Sequence, residues 1–311
     1  MLLATVGPGQ AFVAPLAFLA YAALYGVRAR TLARRGQGVP GWRIACFAGG
    51  IALLLVAASP PLDRLADEYF SLHMVEHLLI GDLAPLLIVL GCTGPLLAPL
   101  LAQRPIAALR PLTHPVAAFA LWAVDLYVWH LAFAYQAALR HDLVHVLEHV
   151  CFFAFGALLW MPLFGPLPKP AWFGNGARLG YIVIVRLTGT VLANLFLWAG
   201  GAFYVYYAAT GRSGGDAAAD QSAAGAVMMV EQSFVTISLF CWLFLKTARE
   251  ADERQALSEL AAARGSASSS SCASRARRWP TSSSGRRASS TASTRARTRT
   301  RSPISGRPAG S

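Results

Sequence analysis

Apolar residues fill this chain in long runs, and short polar segments separate them. Seven runs stand out, approximately Ala11–Val27, Trp42–Ala58, Phe70–Gly91, Pro115–Ala137, Leu143–Leu163, Leu179–Gly201 and Ala223–Leu245. A helix of about 20 apolar residues crosses the hydrocarbon core of a bilayer. It does so because it satisfies its own backbone hydrogen-bonding groups. The pattern therefore predicts an all-α integral membrane bundle of about seven transmembrane helices. The first run lacks a cationic start and is followed by arginines, so it reads as a retained helix and not as a signal peptide.

Composition agrees. Hydrophobic residues make up 55% of the chain and charged residues only 14%, against roughly 25% charged in soluble domains. The net charge of +12 is concentrated at one end: eleven arginines and no acid follow Glu259. The rest is nearly neutral, so the positive charge does not by itself imply nucleic-acid binding by the folded part. We divide the chain into a transmembrane domain (1–250), a cytoplasmic helix end (251–264) and a Ser/Arg-rich tail (265–311). The tail cannot bury enough apolar surface to offset its ordering entropy and is expected to be disordered. It fits a polybasic segment near anionic lipid or translation of a GC-rich gene in a wrong frame. The abrupt change after Arg264 favours the second. Five scattered cysteines form no CxxC pair, which signals neither a disulfide framework nor a thiolate metal site.

Lys and Arg enrich cytoplasmic connections. The first connection holds Arg28, Arg30, Arg34, Arg35 and Arg43, the third Arg104 and Arg110, and the fifth Lys169 and Arg178. The second carries Asp63, Asp67 and Glu68 beside a single Arg64. This alternation places the N-terminus outside and the C-terminus in the cytoplasm.

On that topology the histidines become informative. His73 and His77 fall at the outer end of the third span, His130 near the outer end of the fourth, and His141, His145 and His149 at the outer end of the fifth. Only His114 falls on the other side. Residues four apart share a helix face, so two imidazoles at that spacing can converge on one ion. Imidazole suits Cu, Zn, Fe and Ni. Met74, Glu76, Glu148, Asp220 and Met228 are candidates for additional ligands or for groups that orient the imidazoles. Deeper in the membrane, Asp82 and Asp125 lie near the middle of the third and fourth spans, and Arg186 lies a third of the way along the sixth. Their depths suit an ion-pair network that fixes helix registry, or a proton or ion route.

The stretch His73-Met74-Val75-Glu76-His77 opens a span that contains Pro85 and Gly91. Trp129-His130 closes the next. His141 to His149 are followed by Gly156 and Trp160, and Asp220-Gln221 precedes Gly225 and Met228. Together these elements resemble the CtaG-type assembly factors of caa3-type cytochrome c oxidase, over about residues 10–250. Glu76 departs from the family pattern, in which many relatives have Gln. The resemblance implies a multi-pass protein of the bacterial inner membrane that helps to metallate the copper B centre. The implied partners are subunit I of a haem–copper oxidase and periplasmic copper carriers, and the implied cargo is copper. It implies no enzyme activity. Zinc or haem remain alternatives for the histidines.

Three other functions fit parts of the pattern. A haem-binding electron-transfer subunit could use facing histidines as axial ligands. A transporter could use Asp82, Asp125 and Arg186, although no paired broken helices or internal repeat is evident. A membrane zinc hydrolase needs three ligands, an open position and a base; Glu76 or Glu148 could be the base, but no HExxH occurs.

Overall fold

The computed structural model describes residues 13–204, 206–207 and 216–276, with side chains of the last helix described as far as Arg264. Among the described residues every regular element is helical. The protein is an all-α membrane bundle. The principal helices are α1 (Val13–Arg34), α2 (Gly41–Ala57), α3 (Pro60–Glu68) and α4 (Phe70–Gly91). They are followed by α5 (Gly94–Leu101), α6 (Arg104–Ala108), α7 (Pro115–Trp129), α8 (Ala132–Ala138), α9 (Asp142–Phe164), α10 (Asn175–Trp198) and α11 (Ala217–Ala276).

Four of the described helices (α4, α9, α10 and α11) are long and apolar enough to cross a membrane, or six if each of two bent pairs is one span. The pairs are α2 with α3, bent by 54°, and α7 with α8, bent by 76°. The first expected span, Ala11–Val27, begins outside the described residues. Its described part lies in α1, which carries Arg28, Arg30 and Arg34 in its last turns and is not among the six.

The chain divides into two compact units, Met1–Ala251 and Asp252–Ser311. The first is the bundle. In the second, the described residues are helical as far as Ala276, and Gln255 donates to Glu259 at 3.0 Å one turn on. The rest of the expected tail lies outside the described residues.

Breaks in the helices follow local chemistry. Gly36, at φ +73°, takes the left-handed conformation that ends α1. Pro60-Pro61 opens α3, where a missing N–H costs nothing. The interior of α4 widens into a π-turn at Leu79–Leu83. That turn divides the helix into an N-terminal part, whose histidines face α9, and a C-terminal part, which packs on α2 and α9.

The bundle is apolar on both its inside and its outside. On α11, Ala224, Met228, Gln232, Val235, Leu239 and Leu243 form the buried stripe, while Val230, Phe234 and Ile237 are exposed. The exposed apolar face needs a lipid solvent and has no place in water. Helices α4 and α9 come closest at Gly156, where an added Cβ would collide with the Gly81 carbonyl. This approach holds the starts of the two helices side by side.

Candidate metal centre

The first turns of α4 carry His73, Glu76 and His77, and the first turns of α9 carry His145, Glu148 and His149. Both are the same pattern, His-x-x-Glu-His, and the two copies face each other. The ring centroids of His73 and His145 are 5.6 Å apart, as are those of His77 and His149. Within each helix the paired rings lie at 4.3 Å and 4.2 Å. The carboxylates cross over: Glu148 lies 3.7 Å from His77, and Glu76 lies 3.9 Å from His149. The two motifs thus pair reciprocally.

Water is excluded. His73, Glu76, His77 and Glu148 are between 0% and 6% exposed. Above them sits an aromatic cap. Tyr135 packs edge-on against His73 and stacks on Tyr204. Tyr204 donates to the His130 carbonyl at 2.8 Å, and Tyr207 donates to the Ala66 carbonyl at 3.1 Å. Gln221 ties down the connection that bears Tyr204. It accepts from the Phe203 N–H at 2.7 Å and donates to the Gly201 carbonyl at 3.1 Å.

Inside this cap the polar groups are left without hydrogen bonds. Both nitrogens of His77, Nε2 of His145 and His149, and both oxygens of Glu148 are buried with no hydrogen-bond partner. Such groups cost free energy, roughly 1–3 kcal/mol each, and a cluster of them calls for a compensating ligand. Three overlapping triads place one donor atom from each residue within 4.8 Å of the others: His73–His145–Glu148, Glu76–His145–His149 and His77–Glu148–His149. Tetrahedral ligands at about 2.0–2.1 Å from an ion stand roughly 3.3 Å apart, so small side-chain rotations would close any of these triads on a metal. The donor set, imidazole with carboxylate, fits a transition-metal ion.

Other expected site residues take different places. His130 lies at the edge of the cluster, 6.2 Å from His77 between ring centroids. Its Nδ1 is 2.7 Å from the Leu126 carbonyl, and its Nε2 is buried and unpartnered. His141 precedes α9 in an extended conformation, is exposed, and belongs to none of the triads. Asp220 faces the start of α4, where it accepts from the N–H groups of Phe70 and Ser71 at 2.6 and 3.2 Å and from the Ser71 hydroxyl at 2.5 Å. It caps the helix that carries the first motif. Met74 and Met228 are buried, 1% and 4% exposed, beneath the cluster.

The deep charges are only partly those expected. Arg186 grips Asp82 with both terminal nitrogens, at 2.6 and 3.3 Å. Trp160 adds an indole N–H to Asp82 at 2.9 Å. The second acid beside Arg186 is Glu231, at 3.8 Å, and not Asp125. Asp125 sits farther along α7, where it interacts with Trp129 and lies within electrostatic reach of Glu148. Glu231 was open to the reasoning that singled out Asp82, since it is an acid inside an apolar run. The repeat of His-x-x-Glu-His was likewise plain in the sequence.

Residues 23–250 match the family described as cytochrome c oxidase caa3 assembly factor (Caa3_CtaG). The chain belongs to that family. The match takes in both His-x-x-Glu-His motifs, Arg186 and the start of α11. Among curated proteins the chain is similar to an uncharacterized protein of Mycobacterium bovis and one of Mycobacterium tuberculosis. Each is 25% identical over 195 residues, which is 56% of this chain and 29% of the relative. An uncharacterized protein of Mycobacterium leprae is 25% identical over 170 residues, 49% of this chain and 26% of the relative. The match therefore spans less than a third of these relatives' length. No solved structure matches the chain.

Proposed function

We propose that this Caa3_CtaG family member helps to assemble a haem–copper cytochrome c oxidase by taking up copper at the periplasmic face of the bacterial inner membrane and passing it toward the copper B centre. It acts as a metal-transfer factor and not as an enzyme. Periplasmic copper carriers deliver the ion, and subunit I of the oxidase receives it. The observation that carries this reading is the pair of facing His-x-x-Glu-His motifs, which gathers four imidazoles and two carboxylates in a largely buried site. Membership in the oxidase-assembly family supplies the context.

Two alternatives have less support. A haem needs its two axial imidazoles to face each other across the macrocycle, whereas the facing rings of His73 and His145, and of His77 and His149, have centroids only 5.6 Å apart. The His-x-x-Glu-His pattern also occurs in zinc peptidases. A hydrolase, however, needs a water-bearing open position, and on the His73 side Tyr135, backed by Tyr204 and Tyr207, packs against the cluster. The deciding experiment compares purified wild type with His73→Ala/His77→Ala. Copper bound by the wild type and lost in the variant, with loss of oxidase maturation in cells, is expected. Normal oxidase maturation in the variant would refute the reading, and a Soret band in the purified protein would turn it toward haem.

A further inference from the structure

Beneath the His/Glu cluster lies a chamber whose walls come from α4, α7, α9, α10 and α11. Its volume of about 60 Å³ is room for on the order of four water-sized spheres. At the end nearer the cluster it is lined by Met74, His77, His130 and Met228, and at the other by Asp82, Arg186 and Glu231. Three observations mark the chamber as more than a packing defect.

The first is the state of His130. Its Nδ1 lies 2.7 Å from the Leu126 carbonyl, which can only accept, so Nδ1 carries the proton. Nε2 then holds a free lone pair, and that atom is buried with no partner. A backbone carbonyl on one ring nitrogen is the usual way a protein prepares the other for a metal. His130 belongs to none of the His/Glu triads.

The second is the sulfur. Met74 and Met228 line the same chamber, whereas the neighbouring Met229 has its sulfur engaged by the Asn194 amide at 3.5 Å. One imidazole and two thioethers form a softer donor set than imidazole with carboxylate. Such a set favours a monovalent soft ion over a divalent one.

The third is charge. Arg186 offsets one of the two carboxylates beside it, and Glu231 keeps both oxygens buried without hydrogen bonds. With one proton held between the two acids the trio is neutral, so this end of the chamber does not repel a cation.

We propose that this chamber is a second metal station, distinct from the His/Glu cluster, which binds a monovalent soft cation through His130, Met74 and Met228. His77 stands in the wall between the two sites, so an ion leaving the outer cluster reaches the chamber without crossing lipid. This proposal rests on the copper reading of the outer cluster and adds an inner stage to it.

The test loads selenomethionine-labelled protein with Ag(I), which does not change oxidation state, and measures ions per chain together with selenium-edge X-ray absorption. Wild type is expected to show silver as a neighbour of selenium. The Met74→Leu/Met228→Leu variant, nearly volume-conserving, is expected to bind one ion fewer and to lose that neighbour while its thermal unfolding midpoint stays close to wild type. The His73→Ala/His145→Ala variant is expected to lose outer binding but to keep the silver–selenium neighbour. Binding that the methionine variant leaves unchanged, with no silver near selenium in wild type, overturns the inner station and leaves the outer cluster standing. No ion bound to wild type overturns both.

Discussion

Replacement of Gly156 by alanine tests the link between helix packing and the His/Glu cluster. The added Cβ would meet the Gly81 carbonyl oxygen inside van der Waals contact, with the carbonyl carbon at 2.9 Å and Pro85 Cγ at 3.2 Å. Two of these three atoms are backbone in α4, so no side-chain rotation relieves the clash. The two helices must part by on the order of 1 Å at this level to restore normal contact. Overpacking of this kind costs about 1–3 kcal/mol, and more where backbone is involved. The effect does not stay local. Gly156 lies two turns below His149 on the same rigid helix, so the separation carries to the triads, whose donors already stand up to 4.8 Å apart. Expected outcomes are a lower unfolding midpoint in detergent and at least a tenfold loss of copper affinity, with the histidines intact. Wild-type stability and affinity together in Gly156→Ala would refute the claim that this contact sets the spacing of the cluster.

Four further outcomes follow from the same geometry. Arg186→Leu leaves Asp82 and Glu231 buried without their cation and is expected to cost about 3–5 kcal/mol, read by denaturant unfolding; Asp82→Asn in the same chain should restore part of it. Asp220→Ala removes the cap from Phe70 and Ser71 and should cost about 1–2 kcal/mol, with weaker copper binding, by calorimetry. His141→Ala should bind copper as wild type does, because His141 lies outside every triad; a loss of metal in a titration would contradict that placement. Lys169, in the connection between α9 and α10, has its ammonium pKa lowered to about 8 by burial and then by Arg178 and Lys246. The fold disfavours its charge, so the penalty is full below about pH 8 and fades as pH rises toward the unfolded value. Acylation of Lys169, followed by mass spectrometry, should reach half its maximal rate near pH 8.

Much of this architecture was legible in the sequence, because a membrane span announces itself by length and apolarity. The expected Phe70–Gly91 coincides with α4, and the expected fifth and sixth spans overlap α9 and α10 closely. The bend at His130 was not legible. No proline or glycine marks it; the freed His130 carbonyl is taken by Tyr204 from a distant connection, a tertiary partner that no local pattern reveals. His141 misled for a related reason. Its spacing from His145 suggests one helix face, but the chain is extended there and α9 begins one residue later. Of the site itself, His73, His77, His145, His149, Glu76 and Glu148 were open to inspection. What spacing could not convey was the crossing of each carboxylate to the other helix's histidine.

The π-turn at Leu79–Leu83 gives α4 two independent rotational settings on one shaft. Its N-terminal part aims His73, Glu76 and His77 at α9, while its C-terminal part turns Ile88 and Gly91 to Gly50 and Phe47 of α2. An uninterrupted α-helix would lock the two bearings together, since each residue advances the face by about 100°. Deletion of one residue from the turn would leave hydropathy, charge and every ligand in place, and would rotate the entire first motif away from its counterpart. The wide turn, an inserted residue in effect, is thus the part that keys the His/Glu motif to the scaffold.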